Sequence, residues 1–289
     1  MSQLTPVAPA TPGRSPVLLL LFSMASIHSG AAIAKGLFSE VSPLGLVTLR
    51  LGLGALVLVL WVRPRWRHHR WQDYRLVAAL GLVMGVMNAC LYYAIAYIPI
   101  GVAVTLEFLG PLGVALAYSR RGWDWLWVAL AAAGVLLLAP VGGLTLHPLG
   151  IGLALISGGC WAAYIVLSAQ VGKVFPGSEG VALAMTAGAI ALLPLGVTVA
   201  GTTLLSPRVL GLGLVVAVLS SALPYSLEMA ALRRLPVKVF GVLMSLEPAV
   251  ASGVGLWLLG EQLSVRLVAA IVLVSLASAG VTWQAKGQP

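Results

Sequence analysis

The sequence predicts an all-α membrane protein in which ten transmembrane helices form two inverted five-helix repeats around a central cavity. Three observations carry that prediction. The chain is 60% hydrophobic and 9% charged, with a mean hydropathy of +1.02, whereas about a quarter of the residues of a soluble domain are charged. Ten apolar stretches follow one another, each close to the roughly 20 residues that cross a bilayer as a helix. The second half repeats features of the first, and because five is odd the two copies must enter the membrane in opposite directions.

The elements follow in order. Residues 1–16, MSQLTPVAPATPGRSP, form a polar, Pro-rich tail. The apolar run after it is not closed by a small-residue cleavage site, so it reads as an uncleaved first helix. Spans at 17–35, 44–62, 76–97, 100–118 and 124–140 make the first repeat, residues 17–145. Spans at 149–169, 180–200, 209–231, 237–258 and 265–283 make the second, residues 146–284, and leave 285–289 as a tail. Pro, Gly, Ser and charge punctuate the connections, as at Ser42-Pro43, Arg63-Pro64, Ile98-Pro99, Ser206-Pro207 and Leu235-Pro236. No connection is long enough to hold a soluble domain.

Loop charge sets the orientation. Of the 17 Lys and Arg residues, all but Lys35, Arg50, Arg208 and Arg266 fall on one side of the predicted membrane. Cytoplasmic loops carry the basic excess, so both termini are expected inside and the segment from Pro140 to Pro148 outside. The net charge of +9 is therefore a topology signal. The run RPRWRHHRWQDYR reads as interfacial anchors beside a span, with no nucleic acid as partner.

The repeat is visible in the residues. A shift of 137 lays Ala94 on Ala231, Pro99 on Pro236, Leu106 on Leu243, Leu109 on Leu246 and Pro111 on Pro248. A shift of about 133 lays Ser26–Ala31 on Gly159–Tyr164. Pro111 and Pro248 fall inside spans, where each removes a backbone hydrogen bond and favours a kink. Gly81/Gly85 and Ala249/Gly253, at four-residue spacing, are expected to let helices approach closely.

Charges inside spans are the strongest functional signal, since a carboxylate at the bilayer centre costs roughly 2.5 to 3.5 kcal/mol even on the lenient scale. Glu107, Glu228 and Glu247 are in that position. Glu107 can instead be neutralised in a network with Lys35 or Arg50, Glu247 can serve the Pro248 kink, and Glu228 can pair with an arginine at the inner end of its helix. Cys90 and Cys160 stand without CxxC or His spacing and read as packing residues, so no metal or cofactor is called for. A membrane enzyme would need clustered motifs at the surface; His68-x4-Asp73 matches an acyltransferase spacing in a loop too short for an acyl-donor domain. There is no Walker loop, so ATP hydrolysis is not the energy source.

The strings VAVTLEFLGPLGVAL, SRRGWD, GGCWAAYIVLSAQ, LSSALPYSLEMAALRRLP and FGVLMSLEPAVASGVGLWLLGEQL resemble the drug/metabolite transporter superfamily, EamA type, over nearly the whole chain. Within it they are similar to exporters of threonine-like amino acids in bacterial inner membranes. The resemblance implies efflux of a small amino acid driven by the proton gradient; export of another metabolite or drug is the alternative. The first half lacks the Gly260-Glu261 pair that closes the second, and Glu261 is read as interfacial.

A zwitterionic substrate needs a cation or helix N-termini for its carboxylate and carboxylates for its ammonium. Lys35 and Arg50 are the basic side chains placed for the first role, with an outer-end anchor as the alternative for Arg50. His28, the one histidine within a span, is a packing residue or a proton partner of a nearby Glu. Asn88, Tyr92, Tyr93, Trp161, Tyr164 and Tyr225 add amide and aromatic groups that each suit packing singly and a small polar ligand together.

Overall fold

The structure, a computed structural model, describes residues 16–64, 69–117, 124–137, 146–176, 178–232 and 243–284. Among them every regular element is helical: α1 (Pro16–Gly36), α2 (Pro43–Val62), α3 (Trp71–Tyr97), α4 (Ile100–Glu107), α5 (Leu109–Ala117), α6 (Asp124–Leu137), α7 (Pro148–Val174), α8 (Glu179–Ala200), α9 (Pro207–Ala217), α10 (Leu223–Leu232), α11 (Glu247–Leu259) and α12 (Val265–Gln284). Five segments are long and apolar enough to cross a membrane, namely α1, α2, α3, α7 and α8 with its 3-10 extension to Leu205. The basic loop residues Arg65, Arg67, Arg120, Arg121, Arg233, Arg234 and Lys238, and the segment 138–145, lie outside the described residues.

Local chemistry explains several starts and stops. Ser42 caps α2 by accepting the Gly45 N–H at 3.2 Å, and Pro43 occupies the first turn, where a missing N–H costs nothing. Asp73 accepts the Arg70 N–H at 2.8 Å at the start of α3. The stretches read as single spans at 100–118 and 209–231 are interrupted in the structure. Pro111 has no N–H for the Glu107 carbonyl four residues back and its ring crowds that carbonyl, and the helix breaks at Phe108. Between α9 and α10 the residues Val218–Ala222 form a π-helical turn, in which the Leu223 N–H reaches back five residues to the Val218 carbonyl. Pro248 stands in the first turn of α11, just after a bend at Ser245–Leu246.

The helices pack in pairs. α3 lies along α7, and α1 along α9, the π turn and α10; α2 packs on α8, α6 on α12, and α4 on α11. α1 also touches α11, while α4 and α5 touch α7. Small residues make the crossings close, since association in lipid depends on van der Waals contact. A Cβ on Gly81 would collide with the Ala184 carbonyl, and one on Gly158 would stand 2.7 Å from the Glu107 carbonyl. Gly85 meets Leu192. The Ala249/Gly253 pair, by contrast, is exposed and a Cβ on Gly253 would meet nothing. The close face of α11 is one step round, where Ser252 meets Gly101 and Gly255 meets Ile100. Large exposed side chains such as Phe22, Trp61, Ile190, Trp257 and Val265 form the outer, lipid-facing surface.

Candidate functional site

The interior holds polar groups where the helices break. Glu107 is the last residue of α4 and 5% exposed; Glu247 is the first residue of α11 and 6% exposed. At a helix N-terminus Glu247 sits in the favourable end of the dipole. His28 of α1 is buried with its Nε2 3.5 Å from Glu247 Oε1, an ion-pair distance too long for a good hydrogen bond. His28 and Glu247 meet at ion-pair distance, and Arg50, Glu107 and Glu228 stand on helices packed against theirs, a loose cluster of ionisable groups inside the helices.

Two serines hold two of the carboxylates. Ser157 Oγ of α7 stands 2.6 Å from Glu107 Oε1 and 2.8 Å from the Met87 carbonyl of α3. Ser23 Oγ of α1 stands 2.7 Å from Glu228 Oε1 and 3.4 Å from the Pro224 carbonyl. A hydroxyl has one proton to donate, so with Glu107 ionised Ser157 faces two acceptors and satisfies one. With a proton on Glu107 both contacts become hydrogen bonds, from the carboxyl to Ser157 and from Ser157 to Met87. Glycine makes this possible: Gly158 and Gly110 let the α4–α5 break press against α7. Serine in an apolar span is too ordinary to stand out in a sequence, and both of these were missed.

Arg50 is held by backbone that proline has freed. Pro224 has no N–H to give the carbonyls of the π turn; the Ser220 carbonyl accepts from Arg50 Nη2 at 2.9 Å and the Leu219 carbonyl from Ser26 Oγ at 2.6 Å. Nη1 of Arg50 donates to Tyr92 Oη at 3.3 Å, and the guanidinium lies 5.4 Å from the Tyr92 ring centroid. Among the described residues its Nε is buried without a hydrogen-bond partner, as are His28 Nε2 and Glu247 Oε2. Each such orphan costs about 1 to 3 kcal/mol. π turns recur at functional sites, but nothing in the apolar pattern of 209–231 marks this one.

The other sequence candidates separate. Asn88 is buried and donates to the Met84 carbonyl at 2.8 Å within its own helix. Tyr93 and Tyr164 are half-buried, and Trp161 meets Phe108, the residue at the α4–α5 break, edge to face at 5.4 Å. Tyr225 belongs to α10, and its side chain lies outside the described residues. Lys35 stands apart from the cluster at the end of α1, bonded to Glu261 at 2.7 Å. The Glu261 side chain, read as interfacial, is 12% exposed and joins three segments. The contact spans 226 positions of sequence, which is why span-by-span reading could not find it.

Comparison with known proteins gives the chain a family. The model of the EamA-like transporter family matches residues 14–139 and again 148–283. The threonine/homoserine exporter RhtA of Salmonella typhimurium (strain SL1344) is 45% identical over 277 residues, 95% of this chain and 93% of its own. RhtA of Escherichia coli (strain K12) is 45% identical over 270 residues, covering 92% and 91%. The uncharacterized transporter YwfM of Bacillus subtilis (strain 168) is 26% identical over 259 residues, 86% of each chain. A crystal structure 20% identical in sequence superposes with a TM-score of 0.61 over 93% of this chain and 96% of its own, a likeness of fold.

Proposed function

Because the chain belongs to the EamA-like transporter family, we propose that it exports small amino acids, threonine and homoserine foremost, across a bacterial inner membrane in exchange for protons. The substrate class is supported by the named activity of relatives that are 45% identical over nearly the whole chain. Ten spans in two inverted halves are supported by the two segments the family model matches and by helix pairings that exchange when the halves do. α3 on α7 corresponds to α9–α10 on α1, while α2 on α8 and α6 on α12 each map onto themselves. The basic side of the loops gives both termini to the cytoplasm.

The chemistry follows from the cluster. The substrate's carboxylate goes to the guanidinium of Arg50, whose planar fork already engages Ser220 and Tyr92 and keeps Nε in reserve. Its ammonium goes to the carboxylates at the two helix breaks. Glu107 exchanges that ammonium for a proton, and the observation that carries this step is the donor count at Ser157, which is complete only with a proton on Glu107. Protonated, Glu107 has no charge to attract the ammonium; ionised, it has one. That mutual exclusion is what antiport requires, with the site alternately open to each side.

The test is uptake of radiolabelled amino acids into proteoliposomes holding the purified protein, with a panel of side chains. Accumulation of threonine and homoserine above that of leucine, aspartate and lysine, driven by an imposed proton gradient, is expected. Transport of none of them under any gradient removes the substrate assignment.

A further inference from the structure

One cluster of charge lies away from this site and is built with some care in the backbone. α11 ends at Gly260, whose φ of 65° is in the left-handed region, and the Glu261 N–H then folds back onto the Gly255 carbonyl at 3.1 Å. The reversal lays the Glu261 side chain over the end of its own helix, in space that only glycine at 255 leaves open: a Cβ there would stand 2.5 Å from Glu261 Oε2. From that position the carboxylate accepts the Ile100 N–H at the start of α4, at 3.0 and 3.2 Å, and pairs with Lys35 at the end of α1 at 2.7 Å. Lys35 also donates to the Ile98 carbonyl at 3.3 Å. One carboxylate thus ties α1, the α3–α4 turn and α11 together.

We propose that Glu261 is the bolt of a gate: while it holds Lys35 and Ile100, this end of the helices is shut, and its release lets α11 part from α1 and α4. The parting surface is already specified, since Ser252 of α11 meets Gly101 of α4, the residue after Ile100, and among the described residues its buried hydroxyl has no hydrogen-bond partner to break. A small cavity lined by Pro99 and Gln262, the sequence neighbours of Ile100 and Glu261, together with Val102, Leu137, Arg266 and Leu267, lies next to the clasp. Charge-assisted hydrogen bonds suit such a latch, because they hold firmly when dry and exchange readily for water once the ends separate. The gate takes its cargo, and its assignment to the outer face, from the export reading above, whereas its motion can be observed without cargo.

In a chain carrying Cys90→Ser and Cys160→Ser, Ser252→Cys provides one thiol beneath the clasp. Glu261→Gln is expected to raise the rate at which a membrane-impermeant maleimide labels that thiol roughly tenfold or more, the shift that follows from losing a charge-assisted hydrogen bond in the closed state. An unchanged rate in folded protein overturns the gate. In case Glu261→Gln does not fold, Lys35→Met removes the cation while the carboxylate keeps the Ile100 N–H, and it is expected to raise the same labelling rate several-fold. An unchanged rate in that variant overturns the gate. If the unmodified chain moves no amino acid, the export reading fails while the labelling rates still decide the gate.

Discussion

Arg50 shows how much one residue can hold at once. Its two terminal nitrogens engage the Ser220 carbonyl and the Tyr92 hydroxyl, and its Nε is without a partner among the described residues. A lysine offers a point charge that cannot span those partners. Arg50→Lys is therefore expected to raise the KM for threonine about tenfold, the worth of one charge-assisted hydrogen bond, with normal amounts of protein in the membrane. Transport kinetics in proteoliposomes check this, and an unaltered KM removes Arg50 from the substrate. At this scale the sequence was informative wherever a charge sat in hydrocarbon: Glu107, Glu247 and Arg50 were legible because their presence there has a cost that must be repaid. Ser23 and Ser157 were not, because a hydroxyl costs little in a helix and its partner is set by the neighbouring helix alone.

The helix breaks are where backbone and site chemistry meet. Two prolines, Pro111 and Pro224, each withhold an N–H, and the freed geometry puts a carboxylate at one break and an arginine at the other. The break at Phe108 is held against α7 by glycines on both sides, and a side chain at 158 would run into the Glu107 carbonyl. Gly158→Val is expected to separate α4 from α7 and to destabilise the protein by about 1 to 3 kcal/mol, the usual range for overpacking. A lowered thermal midpoint in detergent, with loss of export, is the result to look for, and an unchanged midpoint contradicts the close crossing. The proline at 111 was legible as an interruption because its chemistry is local. The π turn was not, since it depends on which side chains of α1 and α2 arrive to take the freed carbonyls. The Ala249/Gly253 spacing misled for a related reason: a small-residue pair gives two candidate faces, and packing against Ile100 and Gly101 selected the other one.

At the scale of the whole molecule, orientation and coupling are both expected from charge. The loop between the halves is expected outside, so Thr145→Cys should react with an impermeant thiol reagent in intact cells; labelling only after lysis reverses the topology. That the chain is helical with membrane-crossing spans was readable from hydropathy, because a span must satisfy its backbone internally and so advertises itself by length. The association of distant charges was not, for it exists only once α1, α4, α7 and α11 are packed. The central claim is that the buried carboxylates exchange a proton for the amino acid. Its most direct test is proton flux, followed with a pH-sensitive dye inside proteoliposomes, when threonine is added with no imposed gradient. The wild-type protein should move protons against threonine, and Glu107→Gln, which can neither release a proton nor attract the ammonium, should abolish that flux and weaken threonine exchange while the protein stays folded. Threonine-driven proton flux that persists at the wild-type rate in both Glu107→Gln and Glu247→Gln would contradict the account.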